Sequence, residues 1–315
     1  MPGSFDEAVR GCKYVIHTAA PVIMSCPQRL AFSKIVWPTV RGMENVLAAV
    51  NRADSVERVV VTSSIAAVVG DWDERGKGHV FTEEDWTLNF SPDFAYGMSK
   101  TLSEWAAWAI CAQQQRWSLV VINPAVVVGP PLAANKLSEA VVSTQYMLNS
   151  RLPIVPLIGF PTVDIADVAA AHTIAMVKRA ASGRHILCER GVLLPEDVQW
   201  LRREFPQYSS PLPLVVLPFW LTLIIGWLFG LISPVALRAQ YGKKPHMSSA
   251  KARRELGLDL IPYERSMRDM VARMETLDML TPRRRGGGPG RAADTGREEK
   301  GDASQQLAAA KQHEQ

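Results

Sequence analysis

Residues 58–64 read Arg58-Val59-Val60-Val61-Thr62-Ser63-Ser64. An apolar run that closes on two hydroxyls, with no polar alternation inside it, predicts a strand covered on both faces, as in a parallel sheet. Two further runs read the same way. Tyr14-Val15-Ile16-His17-Thr18-Ala19-Ala20 precedes it, and Ser118-Leu119-Val120-Val121-Ile122 follows it and continues into Asn123-Pro124-Ala125-Val126-Val127-Val128-Gly129. Between the first two runs, residues 29–51 carry a helical pattern that Pro38 breaks or kinks. Between the second and third, a helix starts at Tyr96 and runs through Trp108. Strands alternating with helices predict βα units and an α/β fold with a parallel sheet. In such sheets ligands bind beyond the carboxyl ends of the strands. Here those ends are His17 to Ala20, Ser63 and Ser64, and Asn123 and Pro124.

The flanking chain extends the pattern. Phe5 to Arg10 predicts a short helix. Gly70 to Asp93 reads as a loop, with Thr82-Glu83-Glu84-Asp85 as a solvated part of it. Val163 to His172 reads as a strand-to-helix junction with Asp167 as its N-cap. Gly183 to Cys188 predicts a short strand, Pro195-Glu196-Asp197 a helix start, and Ser248 to Leu256 and Tyr263 to Leu277 two more helices. From Thr281 onward the chain turns polar and low in complexity, which predicts disorder. Its Arg283-Arg284-Arg285-Gly286-Gly287-Gly288 run follows no strand and does not read as a phosphate loop.

With 315 residues, 47% of them hydrophobic and 21% charged, the chain can bury a sizeable core. A net charge of +4, with no basic face interleaved with aromatics, argues against a nucleic-acid partner. Cys12, Cys26, Cys111 and Cys188 show no C-x-x-C or metal-like spacing. Cys12 and Cys188 are expected as buried thiols, in a reducing intracellular compartment. His17 and His172 have no third ligand near them in sequence, so both are expected to be structural and no metal is expected. Met1-Pro2-Gly3-Ser4 carries neither the basic nor the apolar part of a secretory signal.

Chemistry concentrates in Tyr96-Gly97-Met98-Ser99-Lys100. An i, i+4 spacing sets a phenol and an ammonium on one helical face. Free tyrosine titrates about three units too high for proton transfer at neutral pH, and a nearby ammonium favours the phenolate. The spacing alone is common on amphipathic helices, and it gains meaning from the strand-end hydroxyls of Ser63 and Ser64. Trp105 and Trp108, on the same helix, are expected in the core.

Taken in order, Ser4 to Ala8, His17 to Pro21, Gly42 to Leu47, Val61 to Ser64, Tyr96 to Lys100, Asn123 to Ala125 and Asp164 to His172 resemble the extended short-chain dehydrogenase/reductase superfamily. The likeness is to its dihydroflavonol-reductase-like and 3β-hydroxysteroid-dehydrogenase-like branches and covers roughly residues 4–190. The resemblance implies a Rossmann-type doubly wound sheet with a smaller, mostly helical substrate lobe. It implies that Tyr96 exchanges a proton with the substrate oxygen, that Lys100 lowers the Tyr96 pKa and binds the nicotinamide ribose, and that Ser64 hydrogen-bonds the substrate. His17, Thr18, Ala19, Ala20, Ser63, Lys100, Asn123 and Pro124 would line NAD or NADP. The family's opening strand and G-x-x-G-x-x-G turn have no counterpart here. The resemblance therefore implies an N-terminally truncated dinucleotide domain over 1–190, with the Tyr14 strand unpartnered on one side and the choice between NAD and NADP left open. A substrate lobe over 191–280 and a disordered tail over 281–315 would follow. The implied reaction interconverts a secondary alcohol and a ketone on a small apolar substrate, steroid-like or other. The alternatives are an NAD-dependent epimerase/dehydratase and a non-catalytic, membrane-associated remnant or binding protein. Pro92-Asp93-Phe94-Ala95-Tyr96 departs from the N-W-Y-C-Y-like block of the cinnamoyl-thioester branch, which disfavours a CoA thioester.

Leu212 to Ile232 carries no charge, contains a G-x-x-x-G pattern at Gly226 and Gly230, and is followed by Arg238, Lys243 and Lys244. If wholly helical it would measure about 31 Å, enough to span a bilayer. Pro213 and Pro218 interrupt it. A helix lying in the membrane face, with the endoplasmic reticulum as one location, ranks ahead of a buried lobe helix, and a true span ranks third.

Overall fold

The computed structural model describes residues 3–21, 28–134, 138–149, 154–208, 210, 212–228 and 233–282. Cys26, the Gly230 end of the G-x-x-x-G pattern and the tail from residue 283 lie outside them.

Four strands form the main sheet: β1 (Tyr14–His17), β2 (Arg58–Thr62), β3 (Ser118–Pro124) and β7 (Gly183–Leu187), in the order β1-β2-β3-β7. All neighbours are parallel, with Val15 opposite Val59 and Val59 opposite Leu119. Among the described residues β1 pairs with β2 alone. The continuous apolar runs exist because both faces of this sheet are covered. Val59, Val61, Leu119 and Val121 pack with Met43, Leu47 and Ala107, while Val60, Val120 and Ile122 pack with Val168, Ala171 and Ala175. The covering helices are α3 (Trp37–Arg52) and α4 (Ala95–Cys111) on the first face and α6 (Ile165–Val177) on the second.

The short helices α1 (Asp6–Val9) and α2 (Gln28–Ala31) precede α3. A π-helical turn, Phe32–Val36, separates α2 from α3, and Pro38 falls in the first turn of α3. The chain stays helical through this junction, so the predicted break resolves as a π turn directly before the proline, where Trp37 N–H already reaches back five residues to Phe32.

A second sheet joins β4 (Val126–Val128), β6 (Gly159–Asp164) and β8 (Arg190–Leu193), and β5 (Ile154–Pro156) pairs with β9 (Val215–Leu217). Around them pack α5 (Glu139–Asn149), α7 (Leu194–Glu204) and α11 (Tyr263–Thr276), over a core that joins Val128 and Val141 to Leu201, Met267 and Met274. The remaining helices are α8 (Phe219–Leu228), α9 (Pro234–Gln240) and α10 (Ala250–Leu256).

Several expectations need correction. The N-cap of α6 is Asp164, whose carboxylate accepts Ala166 N–H, while Asp167 is buried and accepts Ile261 N–H at 2.8 Å. An N-cap must precede the helix, and Asp167 already lies in its first turn. Thr82 to Asp85 is not a free loop: Glu83 accepts the Ile186 N–H at 3.0 Å, and Asp85 accepts the Thr82 N–H and pairs with Arg75 and His79. Cys12 is only half-buried, whereas Cys188 is buried. Trp105 faces solvent and stacks on Trp86 and Phe90. The 212–232 segment is not one helix. Pro218 separates β9 from the ten-residue α8, about 15 Å long, and no helix among the described residues is long and apolar enough to cross a membrane.

Candidate active site

The first turn of α4 grows out of a 3₁₀ turn, Pro92–Phe94, whose N-cap Ser91 accepts Asp93 N–H. This brings Tyr96 and Lys100 under the carboxyl ends of β1 and β2. Ser64 caps a second 3₁₀ turn, Ile65–Ala67, with its oxygen on Ala66 N–H at 3.1 Å. The two turns touch at Gly97, where a Cβ would stand 3.0 Å from the Ala66 carbonyl oxygen. Glycine lets the helix carrying Tyr96 close on the turn carrying Ser64.

Tyr96 is half-buried and hydrogen-bonded to the Ser64 side chain. Burial raises its pKa, and the Ser64 hydrogen bond only partly offsets this. The predicted depression by Lys100 is therefore overturned: the ammonium lies 5.8 Å from the ring centroid, and loss of solvent dominates. Lys100 is buried and donates to the Thr62 carbonyl at 3.3 Å. Burial brings its pKa down to about 8, against an opposing pull from Glu104. At neutral pH the site thus holds a protonated phenol, able to donate a proton, beside an ammonium.

His17 closes one side. Burial and then the Lys100 charge lower its pKa, so the end of β1 faces the lysine. Thr18 and Ala19 beyond it are exposed, and Ala20 is half-buried. Asn123 and Pro124 lie inside β3, fully or nearly buried. The Asn123 amide nitrogen donates to the Ser64 carbonyl at 3.1 Å and to Glu104 at 3.0 Å, while its buried Oδ1 has no hydrogen-bond partner among the described residues. Ser63 turns away from the cleft and donates to Glu104 at 2.6 Å. His172 donates from Nδ1 to the Val168 carbonyl, which leaves Nε2 to accept the Thr62 hydroxyl at 2.6 Å, and burial keeps the ring neutral. No cluster of metal-ligating side chains occurs among the described residues.

Sequence reasoning missed Glu104 and Arg184. Glu104 is fully buried, and Arg184 of β7 donates to it at 2.7 Å. The Lys100–Glu104 spacing, again i, i+4, is the signal that was there to find.

A cavity of about 540 Å³ starts two residues past Pro124, at Val126, and extends between α5, β5, β6, α7 and α11. Its walls are mostly apolar, including Met147, Ile154, Phe160, Val198 and Met267, with the buried Asp197 and Tyr263 among them. Tyr263 donates its hydroxyl to Asp197, whose pKa burial pushes up to about 6.

A dinucleotide's nicotinamide end finds matching groups here. Among the described residues Lys100 has one acceptor for three donors and the buried Asn123 Oδ1 has no partner, and the His17 to Ala20 segment borders both the lysine and solvent.

The sequence profile of the "NAD dependent epimerase/dehydratase family" matches residues 2–188. An anthocyanidin reductase of Vitis vinifera is 32% identical over 222 residues, which cover 66% of this chain and 64% of that protein. Cinnamoyl-CoA reductase CAD2 of Medicago truncatula is 36% identical over 215 residues, with the same coverage. The chain thus spans about 64% of the length of these relatives. Yeast methylglyoxal/isovaleraldehyde reductase Gre2, solved with NADPH, superposes with a TM-score of 0.68 at 24% identity over 88% of this chain and 82% of that one, a likeness of fold.

Proposed function

The chain belongs to the NAD-dependent epimerase/dehydratase family, within the extended short-chain dehydrogenase/reductase superfamily, and from that premise we propose that it is an NAD(P)-dependent oxidoreductase that reduces a ketone of a small apolar substrate to a secondary alcohol. The observation that carries this reading is the Ser64–Tyr96–Lys100 cluster, in which a protonated phenol is hydrogen-bonded to one hydroxyl and flanked by a buried ammonium. A bound nicotinamide supplies the hydride; the protein's part is orientation, charge and a proton. Ser64 donates a hydrogen bond to the carbonyl oxygen and shares the charge that grows there. Tyr96 passes its proton to that oxygen, and Lys100 stabilises the phenolate left behind. Lys100, His17, Thr18, Ala19, Ala20, Asn123 and Pro124 hold the nicotinamide end of the cofactor.

The apolar cavity beyond Val126 favours a substrate with a rigid hydrocarbon body over a sugar nucleotide, which is why reduction is preferred to epimerisation. A steroid-like ketone and a flavonoid-like ketone both satisfy that chemistry. The assay is NADPH oxidation by the full chain against a panel of steroid ketones, flavonoid ketones and a cinnamoyl-CoA thioester. The reading expects turnover of an apolar ketone and none of the thioester. Binding of NADPH without turnover of any apolar carbonyl would contradict it.

We also infer that α8 rests on a membrane surface. Trp220, Ile224 and Leu228, four residues apart, are 61%, 47% and 63% exposed and form one apolar stripe. Arg238, on the following helix α9, is exposed, while Lys243, Lys244, Lys251, Arg253 and Arg254 beyond it all pair with carboxylates, so the apolar stripe rather than charge carries this reading. Co-sedimentation with phosphatidylserine-containing vesicles, abolished by Trp220→Ser combined with Ile224→Ser, is the expected result. Equal sedimentation of wild type and variant would refute it.

A further inference from the structure

Beneath the reacting side chains lies a layer that the reaction above does not use. Glu104 sits one turn beyond Lys100 on α4 and is 0% exposed. Its carboxylate is filled with donors. Oε2 accepts the Ser63 hydroxyl at 2.6 Å and the Asn123 amide at 3.0 Å; Oε1 accepts Arg184 Nε at 2.7 Å and Trp108 Nε1 at 3.4 Å. A carboxylate so deeply buried is tolerated only when paired and hydrogen-bonded. Its counter-ion is itself fixed. Arg184 donates to the Glu83 and Asp85 carbonyls at 2.9 and 2.6 Å, and its guanidinium lies 3.7 Å from the Trp86 ring centroid.

Two features tie this knot to the site. Asn123 divides its amide between Glu104 and the Ser64 carbonyl, and Ser63 is the residue before Ser64. The Ser63–Ser64 peptide is therefore gripped from a side chain on one end and a carbonyl on the other, just where β2 leaves the sheet. The second feature is charge. The groups facing Lys100 are Tyr96 and Glu104 on its own helix and His17 on β1, and Glu104 is the acid whose charge opposes the effect of burial on the lysine.

We propose that Glu104 is a positioning residue of this site, resting on the oxidoreductase reading: through Ser63 and Asn123 it holds Ser64 against Tyr96, and its charge sets the field at Lys100. Glutamine has nearly the same shape but only one acceptor oxygen. If that oxygen stays on Arg184, the amide of Glu104→Gln confronts the Asn123 amide, and Asn123 must turn over and release the Ser64 carbonyl. If it stays on Asn123, the amide confronts the guanidinium. Either arrangement removes the negative charge one turn from Lys100.

The test is ¹³C NMR of the full chain labelled at lysine Cε and tyrosine Cζ, which needs neither cofactor nor turnover. In Glu104→Gln the Lys100 midpoint should fall by about one unit or more, the scale of a lost neighbouring charge. The Tyr96 Cζ resonance, which reads the Ser64 hydrogen bond, should move at neutral pH. In Arg184→Gln the Lys100 midpoint should move the other way, because Glu104 is left without its counter-ion. Should either single variant fail to fold, the double variant Glu104→Gln/Arg184→Gln leaves no buried charge unpaired and carries the test with a smaller fall. A folded double variant with wild-type Lys100 midpoint and Tyr96 resonance overturns the proposal. If the midpoints move as stated while no carbonyl substrate is turned over, the knot stands and the oxidoreductase reading is what failed.

Discussion

Two buried carboxylates anchor two regions of this molecule, and they are treated differently. Glu104, under the sheet's carboxyl end, receives a guanidinium, a hydroxyl, an amide and an indole N–H. Asp197, in the wall of the apolar cavity, receives one phenol from Tyr263 and has its pKa pushed up to about 6. The difference shows what keeps a charge inside a protein. Burial is nearly equal, at 0% and 2% exposure, so donors and a counter-ion decide the outcome. The Tyr96 end is wired as a charged, hydrogen-bonded layer. The cavity end keeps a carboxyl that moves toward neutrality among mostly apolar walls.

The largest expected break of this contrast is Arg184→Met, which strips Glu104 of its counter-ion. Removing one partner of a buried pair costs about 3–5 kcal/mol, and urea unfolding at neutral pH should show a loss of that size. Asp197→Asn acts in the opposite sense and depends on pH. An acid with a raised folded pKa binds more protons when folded, so the wild type loses stability as pH rises through the window from about 4 to about 6. Above that window the penalty is complete, at about 1.4 kcal/mol per unit or roughly 3 kcal/mol. The Asn variant should lack this slope, measured as unfolding free energy at a series of pH values. Tyr263→Phe removes the phenol that donates to Asp197 and should cost about 1–3 kcal/mol near neutral pH, shrinking in acid as the carboxyl protonates. The smallest stability effect is expected for Gly97→Ala, where the gain in helix propensity, about 1 kcal/mol, offsets the contact with the Ala66 carbonyl. Its signature is a slower reaction at almost unchanged stability, since the Ser64 turn must shift.

Much of the sheet around the candidate site was legible in the sequence. Continuous apolar runs such as Arg58 to Ser64 report two-sided burial directly, and Tyr96, Lys100 and Ser64 carry their chemistry in residue type and spacing. Glu104 was half legible, since its spacing from Lys100 is visible but its partners are not. Ser63 and Asn123 arrive from two strands, and Arg184 from a third, 80 positions away. The Tyr96 titration was misread because spacing reveals the neighbouring charge and hides the loss of water. The lobe was harder to read. Pro218 turns one uncharged stretch into a strand and a short helix, and the Asp197–Tyr263 pair joins residues 66 positions apart whose separation has no period to detect.

In the proposed reduction Tyr96 delivers the proton to the substrate oxygen. Wild type and Tyr96→Phe are to be compared for NADPH binding, by the change in cofactor fluorescence, and for turnover of the best apolar ketone. Near-equal NADPH affinity and a turnover number lower by about 10²–10⁴, the range for loss of a general acid, are expected. Turnover by Tyr96→Phe at the wild-type rate would contradict this role of Tyr96.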